Sequence, residues 1–168
     1  KIIDPLDNLS IQVHPDDELA QEIGLHNGKT EMWYVMNADK DAGLVSGFNK
    51  EVTPKEFEQA IKDKTVGDLL NYEKVQNDDT FFIPARKIHA LGAGCMVAEI
   101  QQTSDTSYRV YDWDRIDRYG MQRELHIDES LATINFKKED SGKVKYDKNI
   151  KNATVNLVKC PYFTTNLI

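Results

Sequence analysis

From residue 80 to residue 112 the chain is cut into short apolar runs by turn residues, and that pitch excludes most folds. Residues 80–83, 88–91, 95–102 and 106–112 are separated by 84–87, by Gly92 to Gly94 and by Ser104-Asp105. Runs this short, with turns this frequent, predict a sandwich or small barrel of β-strands. The same texture recurs upstream. Residues 29–36 (KTEMWYVM) form an aromatic-rich predicted strand bounded by turn residues, and 43–48 form another. In 9–14, Ser10, Gln12 and His14 alternate with Leu9, Ile11 and Val13. Successive strand side chains point to opposite faces, so the three polar residues share one. A polar face that carries an imidazole points to a lined cavity; a half-buried strand with its polar side in water is the plainer alternative.

Helical signals are few. Pro15 opens a short acidic segment, 16–23, whose carboxylates sit where a helix dipole favours them. Thr53-Pro54-Lys55-Glu56 is a capping box with Pro at the first helical position. The helix it opens carries Phe57, Ala60 and Ile61 at helical spacing. Val66, Leu69 and Leu70 continue that face and predict one main helix of about 15 residues. A short helix is expected at 128–134. The lysines at 137, 138, 143, 145, 148 and 151 read as a polar loop or linker, and 155–158 with 162–167 read as strands of a further β unit. Residues 1–8 read as a loop or strand entry, and the acidic run from Asp112 to Asp117 as a solvated, salt-bridged loop.

Composition bears mainly on partners. With 21 Lys and Arg against 28 Asp and Glu, the net charge is −7, which argues against a nucleic-acid surface. No apolar run approaches the roughly 20 residues of a membrane span. Two cysteines, Cys95 in an apolar run and Cys160, make no disulfide framework. Together with the lack of a signal segment, they point to a reducing, cytoplasmic setting.

Candidate metal ligands emerge from spacing. Gln12 and His14 lie one pleat apart, Glu31 is on the next predicted strand, and His89 follows a proline turn. Nitrogen and oxygen donors converging from separate strands are what a metal site in a small β-barrel needs. Residue-x-His, then Glu, then Pro-x-x-x-x-His is the two-part metal pattern of the cupin barrel. His26 and His126 fall in predicted loop or short helix and read as surface residues.

The segments SIQVHPDD (10–17), GKTEMWYV (28–35), IPARKIHALG (83–92) and AEIQQTSDTSYRVYDWDR (98–115) resemble the type I phosphomannose isomerases, particularly their short bacterial branch. The resemblance covers nearly every residue, and CPYFTTNL (160–167) is similar to the opening of that family's second barrel. It implies a mostly β, cupin-type jelly roll whose metal-binding core spans 1–112, with connecting loops and a short helix over 113–153. The start of a second, truncated cupin unit would follow at 154–168. It further implies one zinc ion held by Gln12, His14, Glu31 and His89, and interconversion of mannose 6-phosphate and fructose 6-phosphate through an enediol-type species. By the same resemblance Arg109 is the catalytic arginine lining the cleft, where a permanent cation can steady an enediolate or a phosphate.

Three further residues are drawn in by placement. Lys29 shares a strand face with Glu31 and is a candidate for phosphate binding or proton transfer. Glu99 alternates inward with Val97 and Gln101 and resembles a family acid, making it the candidate base. Ser10 shares the Gln12/His14 face and is a candidate phosphosugar contact. A non-catalytic sugar- or metal-binding cupin and an iron-dependent oxygenase are the competing readings; Gln12 in place of a first His and the Tyr-Arg-Val-Tyr segment argue against the oxygenase. One departure stands out. The family's Pro-x-Gly before the second His reads Pro84-Ala85-Arg86, and Arg does not tolerate positive φ as Gly does. Either the turn changes shape or Arg86 is strained.

Overall fold

The computed structural model describes residues 1–150 and 152–168; Lys151 of the lysine run lies outside them. Two antiparallel sheets form the body. The first contains β1 (Ile2–Ile3), β3 (Glu31–Ala38), β6 (Thr80–Ile83) and β8 (Cys95–Gln101), in the order β1-β8-β3-β6. The second contains β2 (Ile11–Val13), β4 (Gly43–Phe48), β5 (Leu70–Lys74), β7 (His89–Leu91) and β9 (Tyr108–Tyr111), in the order β5-β4-β7-β2-β9. Neighbours in chain order are rarely neighbours in a sheet, as in a jelly roll. Trp33, Val35, Phe81, Ile83, Cys95 and Val97 of the first sheet share one buried cluster with Leu44 and Leu91 of the second. The two sheets therefore face each other. A separate pair, β10 (Val155–Lys159) and β11 (Thr164–Leu167), forms the hairpin expected near the end.

Helix α1 (Asp17–Glu22) starts where Pro15 predicts, with the Asp16 side chain accepting from the Leu19 N–H at 2.9 Å. Helix α2 spans only Pro54–Lys62, shorter than its apolar periodicity predicts. Asp63 caps it, Lys64 turns left-handed at φ 58°, and Thr65 N–H reaches back to Ala60 O at 2.8 Å. Val66–Leu69 then form a 3-10 turn, and Leu70 opens β5 instead of continuing the helix. The apolar spacing misled because Val66, Leu69 and Leu70 bury into the same core as Phe57 and Ala60, although from a different element. That core lies on the outer side of the five-stranded sheet, with α2 and Ile134, just past α3 (Ile127–Thr133), packed on it. Among the described residues no helix is long and apolar enough to cross a membrane.

The lysine run is not a free linker. Phe82 N–H donates to Gly142 O and Val144 N–H to Thr80 O, both at 2.8 Å, so this arm pairs with the outer edge of β6. Gly142 sits at φ 71° with its α-carbon against the Phe82 carbonyl, where a Cβ has no room. The arm is pinned by Asp79, which is 2 % exposed and holds Lys143 at 2.6 Å and Lys148 at 3.1 Å. Asp79→Ala should cost about 1.5–3 kcal/mol, the range for a hydrogen bond to a charged group. It should also speed hydrogen exchange at Phe82 and Val144 ahead of the β3 amides; uniform exchange would show that the arm is held by other contacts. The acidic run is a salt-bridged loop with Asp114 and Asp117 exposed, as expected, except that Asp112 is buried between Arg115 and Arg123; Trp113 and Asp114 both adopt positive φ.

Candidate metal centre

The space between the sheets receives donors from both. Gln12 on β2 pairs with His89 on one side and Arg109 on the other. Residues directly opposite each other in an antiparallel pair share a face, so His89, Gln12 and Arg109 form one row. His14, one pleat beyond Gln12, continues the polar face. Glu31 opens β3 in the opposing sheet. The donor atoms of His14, Glu31 and His89 lie within 4.8 Å of one another, and all three residues are buried.

The local chain explains their aim. Gly28 passes so close to the start of α1 that a Cβ would run into the Asp16 and Asp17 backbone. There its N–H donates to Asp17 Oδ1 at 2.8 Å, and Lys29 N–H donates to Pro15 O at 2.9 Å. Thr30 N–H donates to Gln102 Oε1 at 2.7 Å. Glu31 is thus delivered to the space between the sheets by a short tether fixed to α1, Pro15 and Gln102.

Hydrogen-bond partners assign the imidazole tautomers. His14 Nδ1 lies 2.9 Å from Thr106 O, and His89 Nδ1 lies 2.7 Å from Lys87 O. A carbonyl only accepts, so each Nδ1 carries hydrogen and Nε2 is the nitrogen whose lone pair can turn inward. Those lone pairs face Glu31, at 3.5 Å from His14 Nε2 to Oε2 and 3.4 Å from His89 Nε2 to Oε1. Burial pushes His89 down to about 3, so this ring is neutral at physiological pH. Burial pushes the Glu31 carboxyl up, but His14, His89 and Lys29 outweigh that and hold it well below the carboxylate range. Both Glu31 oxygens and His89 Nε2 are buried without a hydrogen bond. Inward lone pairs facing a buried carboxylate are the arrangement a cation completes, with backbone carbonyls orienting the rings. Two imidazoles and a carboxylate suit a divalent transition-type ion.

Of the other expected residues, Lys29 lies directly against this centre. Lys29 is 6 % exposed, with Nζ at 3.0 Å from Glu31 Oε2 and 3.1 Å from His14 Nε2. Ser10 is buried just before β2. Glu99 faces inward as expected and accepts from Trp33 Nε1 at 3.1 Å; the Trp33 ring meets His89 edge-on at a centroid distance of 5.5 Å. Arg109 donates through one terminal nitrogen to Glu124 O at 2.7 Å, while its buried Nε–H has no partner.

His126 corrects the surface reading: its Nδ1 accepts from the Arg109 N–H at 3.1 Å and its own N–H donates to Arg109 O at 2.8 Å. It fixes the backbone from which Arg109 projects. His26 is exposed, as expected. Sequence reasoning also missed Thr106 and Lys87, which act through main-chain carbonyls that no side-chain pattern reveals. Trp33 had a signal, since it shares the Glu31 face.

Arg86 keeps the glycine-like turn. Its φ is 70°, and its N–H donates to His14 O at 2.8 Å, so the turn still links the two histidine strands. Its side chain compensates by donating Nε–H to Thr133 O at 3.0 Å and by pairing with Asp16 at 3.4 Å. Left-handed backbone costs a non-glycine about 1–2 kcal/mol. Arg86→Ala keeps that strain and loses the contacts, so it should destabilise by about 1 kcal/mol. Arg86→Gly loses the same contacts but releases the strain and should stay near wild type. Denaturant unfolding of the two variants side by side checks the ordering; equal losses would remove the strain argument.

Fold and centre together define a cupin-type jelly roll with a buried donor set that could hold a metal ion. Over nearly its whole length the chain is similar to mannose-6-phosphate isomerases. It is 40% identical over 164 residues to mannose-6-phosphate isomerase of Streptococcus mutans and 38% identical over 169 residues to the Bacillus subtilis enzyme ManA. Each alignment covers 98% of this chain and 52% of the relative, so the chain spans about half the length of the curated relatives it matches. The crystal structure of a Bacillus subtilis mannose 6-phosphate isomerase superposes with a TM-score of 0.86 at 31% identity, over 98% of this chain and 53% of that one. No family model matches the chain.

Proposed function

We propose that this chain carries the metal-binding catalytic cleft of a mannose-6-phosphate isomerase, interconverting mannose 6-phosphate and fructose 6-phosphate. The observation that carries the reading is the inward-facing set of His14, Glu31 and His89 donors, of which both Glu31 oxygens and His89 Nε2 have no hydrogen bond, with Arg109 in register beside Gln12. The names of the relatives support the substrate. In this reading Gln12, His14, Glu31 and His89 hold one zinc ion. When bound, zinc supplies Lewis-acid polarisation of the sugar oxygens.

The chain's own residues supply the rest. Isomerisation moves a proton between C1 and C2 of the open-chain sugar through an enediol-type species. Glu99 is the base: Trp33 occupies its Oε2, and Oε1, with Lys1 Nζ at 3.9 Å, takes the proton. Arg109 turns its unpaired Nε–H and fixed charge toward the developing oxyanion. Lys29 and Ser10 contact the phosphosugar.

A coupled assay for fructose 6-phosphate on the full-length protein, run with and without a chelator and paired with elemental analysis, tests this. Turnover that is lost on chelation and restored by zinc is the expected result. Zinc binding without turnover would favour a non-catalytic cupin, and iron with oxygen uptake would favour an oxygenase.

A further inference from the structure

Lys29 is placed where it competes with the ion. Its Nζ lies 3.1 Å from His14 Nε2 and 3.0 Å from Glu31 Oε2. With His14 Nδ1 committed to Thr106 O, Nε2 is the one ring nitrogen left to offer a lone pair. That lone pair can accept from an ammonium or ligate a metal, but it cannot do both. Nothing else relieves the pair, because Glu31 is 0 % exposed and its oxygens have no hydrogen bond.

From this we infer that Lys29 is the internal counter-cation of the metal-free protein, and that loading a divalent ion breaks its hydrogen bond to His14 and frees the ammonium toward the cleft. The inference rests on reading His14, Glu31 and His89 as metal ligands. It adds a coupling to that reading: the group meant to meet the anionic substrate is held back until the ion arrives. The metal-free cluster is thereby protected from an uncompensated buried carboxylate, whose isolation would be costly. The coupling also limits affinity, since each loading event gives up a charge-assisted hydrogen bond and sets a second cation beside the first.

The consequence is opposite to that of an ordinary residue near a metal. Lys29→Met keeps the length of the side chain and removes the competitor. It should bind Zn²⁺ about tenfold more tightly than wild type, the size of one charge-assisted hydrogen bond. Competition against a chromophoric chelator measures this, with the variant refolded in the presence of zinc so that a fragile metal-free state does not obscure the result. The same variant should show a larger gain in thermal midpoint on zinc addition than wild type.

A second measurement needs no variant. In wild type, acetic anhydride labelling read by mass spectrometry should leave Lys29 protected without metal, since it is 6 % exposed, and label it once zinc is bound. Zinc binding that is unchanged or weaker in Lys29→Met, or Lys29 labelling indifferent to zinc, would overturn the coupling while leaving the metal centre standing. Failure of both proteins to bind any divalent ion would remove the metal centre and this inference with it.

Discussion

Glu31→Gln should lower divalent-cation affinity by more than about 100-fold, beyond the range seen when only an outer partner of a ligand is lost. The substitution keeps the shape of the side chain. It removes the charge that both imidazoles and Lys29 face, and it sets an amide N–H₂ against lone pairs that a metal would use. In the metal-free protein it also strands Lys29, 6 % exposed, without its carboxylate. Breaking a buried pair on one side costs about 3–5 kcal/mol. The variant should therefore unfold at lower denaturant concentration, and zinc should no longer restore it. Chelator competition and unfolding curves taken with and without zinc read both effects. Affinity within about tenfold of wild type would show that the ion is not held by this carboxylate.

Arg109→Ala should leave zinc content unchanged and reduce turnover on the full-length protein by about 10²–10³-fold, the usual effect of losing one donor to a developing oxyanion. Two features separate Arg109 from a structural salt bridge. Its anchoring contact is a main-chain carbonyl, Glu124 O, not an acid, and its buried Nε–H is left unpaired. Neighbouring Asp112 is already taken by Arg115 and Arg123. Arg109→Lys should recover little, because an ammonium cannot reproduce the planar fork. Activity that survives in Arg109→Ala, with metal retained, would favour the non-catalytic reading.

Much of this arrangement was legible before any coordinates, and the reasons are physical. Strands 43–48 and 80–83 fall where the turn residues around them dictate, because a strand's length is set by where the chain can reverse. That Gln12 and His14 share a face was legible because side-chain alternation is rigid on a strand. Where the reading slipped, a tertiary cause is visible. Leu69 and Leu70 continue a helical spacing yet leave the helix, since burial in a shared core satisfies the same apolar pattern from two elements. The lysine run looked like a tether because Asp79, its anchor, lies more than sixty residues away in sequence. His126 looked solvent-facing because its partner is the backbone of Arg109. The tautomers could not be read from sequence, as both are decided by carbonyls of Thr106 and Lys87.

The arm over residues 140–148 carries a practical lesson for anyone cutting this polypeptide. It occupies the outer rim of β6, which would otherwise present open N–H and C=O groups to any passing strand. A boundary set ahead of the arm would keep every ligand of the cavity and still yield sticky material, with a second molecule zipping onto the bared rim. Trimmed versions for crystallisation or spectroscopy should begin their cuts beyond Lys148.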